Sequence, residues 1–253
     1  MTKFKYIILK TPSKLIQSDV ITDAISIVEL FKQHETLVNF FKNLELKVHG
    51  ILPSKDPVYL SVNDLCILTR KCVIFTNYEN KVLNNHRLEM AATLSRFYPL
   101  DRMCYINFPA TLSAKDVLEI NDTFYVSISN ETNMEGAEKF KEHAEKWGFK
   151  VVIITNSEGS LRKNLNYLEH NNMLIKEGYA LPEEFKEFNL ITVPLHEESA
   201  IGSIWANDTI IMPKDCETVW SQLVNLNKYV VVKMNDSEFR KLNIKLNELV
   251  ALF

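Results

Sequence analysis

The side chains that could do chemistry in this chain are scattered, and few share a spacing that a mechanism would need. Four cysteines, Cys66, Cys72, Cys104 and Cys216, form no CxxC pair, so neither a zinc ribbon nor a paired redox motif is indicated. They read as small hydrophobes in strands, in a reducing intracellular compartment. A thiol nucleophile needs a base beside it, and neither Cys66 nor Cys104 has a matched histidine. Of the six histidines, five (His34, His49, His86, His143 and His170) stand apart, and His196-Glu-Glu198 lacks the HExxH spacing of a helical zinc site. That last segment reads as a solvated loop. No metal and no cofactor is expected. The chain has 6 glycines in 253 residues and contains no GxGxxG, GxxxxGK[ST] or GxSxG, which excludes the usual phosphate cradles and the nucleophile elbow.

The bulk properties narrow the partners. There are 29 basic and 32 acidic residues, a net charge of −3 and no basic block, so direct nucleic-acid binding has little electrostatic support. No apolar run approaches the ~18 residues of a transmembrane helix. Asparagine reaches 23 residues where glycine has 6, and asparagine tolerates the left-handed backbone that tight turns demand.

The elements that must position any site follow one repeating order of hairpin, helix and strand. Leu65–Leu68 pairs with Cys72–Thr76 through Thr69–Lys71, and Val117–Ile120 pairs with Thr123–Ile128 through Asn121-Asp122. A third turn is expected at Asn171-Asn172 before Met173–Ile175, and a fourth at Asn207-Asp208 between Gly202–Trp205 and Thr209–Met212. Amphipathic helices are expected over Asp23–Leu44, Arg87–Phe97, Gly136–Trp147 and Glu217–Leu226, with Gly148 as a C-cap. Strands Lys47–Leu52, Lys150–Ile154 and Tyr229–Lys233 follow helices. A fifth unit closes if Lys5–Lys10 pairs with Leu249–Phe253. The expected fold is α/β: one domain over 1–253, a five-fold pseudosymmetric α/β propeller, or ring of ββαβ units.

In this order the motifs resemble the dimethylarginine dimethylaminohydrolases of the guanidino-modifying, or pentein, superfamily. Tyr6–Leu15 resembles the family's first strand and its R-x-P-x-S-L turn. Gln33-His34 with Leu44–His49 resembles the helix and the L-G-L-E-V strand. Leu112–Leu118 stands where the family has L-[DE]-G-G-D-V-L, and Tyr125–Gly136 resembles Y-V-G-x-S-x-R-T-N-x-x-G. The tail from Ser237 to Phe253 resembles S-E-L-R-K…G-G-L-T-C-L-S-L-R-F.

The resemblance implies a cysteine nucleophile, a proton-carrying histidine and an orienting acid, and these three positions fall on Glu248, Leu161 and Ser113. Of the implied ligand-binding positions, Asp64 matches the acidic partner of a guanidinium and Arg87 a carboxylate-binding arginine. Asp116 remains, while the second arginine has become Glu131. Two glycine pairs of the family's active-site loops are Ala114-Lys115 and Ile244-Lys245. The reading that follows is a pseudoenzyme, kept as a structural or accessory subunit of a larger protein assembly, a mitochondrial complex among the candidates. It would be mitochondrial or cytoplasmic, with protein partners and without a small-molecule ligand. A lysine, Lys115 or Lys245, is expected to pair with Glu248 and fill the old substrate space. Alternatives are an acidic cup for a small cation (Asp64, Asp116, Glu131, Glu248), a hydrolase using relocated residues, and a ribosome-associated factor.

Overall fold

The computed structural model describes residues 3–14, 25–53, 60–77, 81–155 and 159–253. In chain order the elements are β1 (Tyr6–Lys10), α1 (Ile27–Asn43), β2 (Lys47–Ile51), β3 (Cys66–Leu68), β4 (Val73–Phe75), α2 (Lys81–Leu94) and β5 (Met103–Tyr105). Then come β6 (Val117–Ile120), β7 (Thr123–Ser127), α3 (Met134–Lys146), β8 (Lys150–Ile154), α4 (Leu161–Asn164), β9 (Leu165–Tyr167), β10 (Asn172–Lys176) and β11 (Asn189–Val193). The chain ends with β12 (Ile204–Ala206), β13 (Thr209–Pro213), α5 (Glu217–Asn225), β14 (Val230–Met234), α6 (Ser237–Lys241) and β15 (Val250–Leu252).

These strands make five three-stranded sheets with one logic. A short strand lies antiparallel to a central strand, and the central strand crosses over to a parallel third. The pairs β3-β4, β6-β7, β9-β10 and β12-β13 are antiparallel, and β4-β5, β7-β8, β10-β11 and β13-β14 are parallel. The fifth sheet joins the two ends of the sequence. Ile7, Ile8 and Leu9 of β1 pair with Leu252, Ala251 and Val250 of β15, and β1 runs parallel to β2. The expected closure of the first strand onto the last is thus present.

Two compact units divide the chain, Met1–Asn63 with His196–Phe253, and Asp64–Leu195. In the first, Leu30, Leu37 and Phe41 of α1 pack with Ile7 and Leu9 of β1, Ile204, Ile211 and Val250. In the second, Phe124, Val126, Phe140 and Ala144 form one cluster, and Leu118, Leu161, Leu165, Met173 and Phe185 another.

Asparagine does take glycine's place. It supplies five of the nine non-glycine residues in the left-handed region among the described residues: Asn121, Asn171, Asn207, Asn227 and Asn243. Asn207 (φ 48°) and Asp208 (φ 66°) together form the turn of the β12-β13 hairpin, as a two-residue turn requires. Asn227 and Asn243 follow the ends of α5 and α6 and donate to Val224 and Arg240 carbonyls, the position where glycine usually ends a helix. Gly148 (φ 79°) does the same after α3.

Four expectations need correction. The first helix begins at Ile27 with Ser26 as its N-cap, and Asp23 lies outside the described residues. The second runs Lys81–Leu94 rather than to Phe97, because the chain turns at Ser95–Tyr98 ahead of Pro99. The third hairpin turns through Glu169, His170 and Asn171, all left-handed, so Asn172 belongs to the strand. The segment expected as a solvated loop around His196 is a 3-10 stretch, Leu195–Gly202, in which Glu197 is only 4% exposed. Its carboxylate accepts the Thr218 and Val219 backbone N–H groups at 2.8 and 3.0 Å, capping α5. Burial alone would raise the Glu197 pKa, but these donors outweigh it and hold the carboxyl below its usual range.

One glycine is dictated by close approach. At Gly136, in the first turn of α3, a Cβ would stand 1.8 Å from the Thr111 carbonyl oxygen. The chain crosses there because Asn133 caps the helix through Gly136 N–H (2.7 Å) and also accepts Thr111 N–H (3.1 Å). Backbone on both sides leaves nothing flexible to yield. Gly136→Ala is expected to destabilise the protein by about 3 kcal/mol or more, read as a lower urea midpoint. An unchanged midpoint would show that the crossing relaxes freely.

Candidate functional site

The residues singled out by type and spacing fall at well-defined places, and most already have work in the scaffold. Asp116 ends the 3-10 turn Ala114–Asp116 and has no exposed surface. Its Oδ2 accepts the hydroxyls of Ser129 and Thr132, each at 2.6 Å, and its Oδ1 that of Ser127 at 3.4 Å. Thr132 Oγ1 in turn accepts the Ser113 N–H at 2.9 Å, and Ser129 Oγ accepts the Glu131 and Thr132 N–H groups. One buried carboxylate therefore anchors two loops. A carboxylate closed in by three hydroxyls offers no face to a ligand.

Ser113 caps the same turn. It is fully buried, and its Oγ accepts the Lys115 N–H at 3.3 Å. A hydroxyl held this way neither carries a charge nor orients a distant base. Glu131 lies exposed on the surface.

Leu161, the first residue of α4, is also fully buried and packs with Leu118, Ile154, Leu165 and Phe185. The surroundings at this position are apolar on every named side, which is the setting a leucine needs and a charged imidazole avoids. The α4 turn packs against the Ala114–Asp116 turn, so Leu161 and Ser113 belong to neighbouring turns of one unit.

Arg87 on α2 turns inward to main chain. Its Nη1 donates to the carbonyl of Thr76 and to that of Ile106 at 3.1 Å, and its guanidinium lies 5.9 Å from the Tyr105 ring centroid. Burial lowers its pKa.

Asp64, in the 3-10 turn Val62–Asp64, is 8% exposed. Its Oδ2 lies 3.2 Å from the Lys115 ammonium. The other lysine singled out, Lys245, has its ammonium 4.0 Å from Glu198. Glu248 closes the 3-10 turn Leu246–Glu248 and accepts the Lys245 backbone N–H at 3.2 Å. The Lys115 ammonium thus has a partner that the sequence reading did not name, Asp64.

The four side chains standing where the resembled family has glycines are each absorbed. Ala114 and Ile244 are buried in core clusters. Lys115 reaches Asp64. Lys245 packs its stem on Gly202, where a Cβ would come within 2.6 Å of the Lys245 Cβ. None of the four has a left-handed φ, so ordinary side chains sit there without backbone strain.

Sequence reasoning missed Glu197 and the details around Glu238. Glu238 accepts the Ser26 N–H at 2.8 Å and the Lys241 ammonium at 2.8 and 3.0 Å. Gln33 bonds Ser237 Oγ and Glu238 N–H at 2.9 and 3.0 Å. An SEFRK run gives no hint of a partner 212 residues away.

All four thiols are free. Burial pushes Cys66 up to about 12 and Cys72 to about 11, and raises Cys104 and Cys216 above the ordinary thiol value. Among the described residues no group of three or more His, Cys, Asp or Glu could hold a metal ion, and no helix is long and apolar enough to cross a membrane.

Comparison with known proteins is consistent along the whole chain. No protein-family model matches it. An N(G),N(G)-dimethylarginine dimethylaminohydrolase of Pseudomonas aeruginosa is 28% identical over 245 residues, 95% of this chain and 96% of the relative. The crystal structure of a cysteine-to-serine mutant of the Pseudomonas aeruginosa enzyme, complexed with citrulline, superposes with a TM-score of 0.89 at 27% identity, covering 100% of both chains. An amidinotransferase of saxitoxin biosynthesis from Microseira wollei shares the fold at a TM-score of 0.80 and 10% identity, over 98% of this chain and 94% of that one.

Buried thiols with raised pKa values are poor nucleophiles. Cys66, Cys72 and Cys216 are expected to alkylate with iodoacetamide at pH 8 at least ~100-fold more slowly in the native chain than in urea. Mass mapping of the labelled sites checks this, and fast native labelling of Cys66 would contradict it.

Proposed function

We propose, from the premise that the chain is a dimethylarginine dimethylaminohydrolase homologue with the pentein fold, that it no longer hydrolyses guanidino compounds. Its scaffold serves instead as a non-catalytic subunit of a larger protein assembly inside the cell, a mitochondrial complex being the first to examine. The observation that carries this reading is the fate of the loops around Ser113 and Glu248. The side chains of Ala114, Lys115, Ile244 and Lys245 are all packed or paired, in loops that the family resemblance marks by glycine pairs.

The chemistry points the same way. Covalent hydrolysis of a guanidinium needs a thiolate, a proton carrier and a group to orient it. Glu248, Leu161 and Ser113 stand at those positions by resemblance. A carboxylate is a far weaker nucleophile than a thiolate, and a leucine inside an apolar cluster moves no proton. Losses of this kind act as a unit and are not made up elsewhere one at a time. Relocated chemistry at Cys66 or Cys104 has against it the raised thiol pKa values. The acidic-cup alternative has against it the closure of Asp116 by hydroxyls and the lysine on Asp64.

The test is a citrulline assay on the purified full chain with asymmetric dimethylarginine and arginine, using the Pseudomonas aeruginosa relative as positive control. The expected result is no citrulline above the buffer blank, against turnover of about 1 per second or faster for an ordinary enzyme. Chain isolated from its native source in the same study is expected to elute with stoichiometric protein partners. Citrulline production that titrates with the chain overturns the reading.

A further inference from the structure

We draw no further inference here: the strongest candidate, the row of Glu135, Glu138, Glu142 and Glu145 along the exposed face of α3 with the exposed Met134 at its start, is a cluster of acidic side chains interleaved with Lys139 and Lys141, and nothing in the structure shows what covers it.

Discussion

The Asp116 carboxylate is the interaction on which the candidate site depends. A charge with no exposed surface is tolerable only when hydrogen bonds replace its water, and here the hydroxyls of Ser127, Ser129 and Thr132 do so. Thr132 passes the connection to Ser113, and Ser129 to the backbone of Glu131 and Thr132. The β6-β7 hairpin, the turn before it and the loop after it thus converge on one side chain. That convergence aims Lys115 and buries Ala114 and Ser113.

The shared and altered letters of the family motifs separate by this criterion. Thr132 and Asn133 persist, and each makes scaffold hydrogen bonds: Thr132 to Asp116 and Ser113, Asn133 to the start of α3 and to Pro109. Gly136 persists where a side chain would meet backbone. Ser237, Glu238 and Lys241 persist and fasten α6 to α1. Of the positions that differ, Glu131 lies on the surface, Ala114, Leu161 and Ile244 are buried among apolar side chains, and Ser127 and Lys115 have made polar contacts of their own, with Asp116 and Asp64. The shared letters thus mark contacts that hold the scaffold together.

How much was legible in advance follows from the range of each interaction. Hairpins turning on Asn121 and on Asn207-Asp208 were readable because turn residues and strand alternation lie within a few positions of each other. The meeting of β1 with β15 was readable only because a repeat one strand short at each end implies its own closure. Glu197 was not, since the helix end it caps begins 20 residues later and nothing in His196-Glu-Glu198 points there. The Lys115 pairing with Asp64 was half legible. A lysine where the resembled family has a glycine called for a charge partner, but finding Asp64 beside it needs coordinates.

The most direct test of the account compares the unfolding free energies of Asp116→Ala and Glu131→Ala in urea. The residues are close in sequence, and the resemblance assigns both to one ligand-binding region. Asp116→Ala strands three buried or half-buried hydroxyls and is predicted to lose about 2–4 kcal/mol, while Glu131→Ala stays within about 0.5 kcal/mol of wild type. Equal effects of the two substitutions, or a neutral Asp116→Ala, would contradict the view that the surviving motif letters are scaffold.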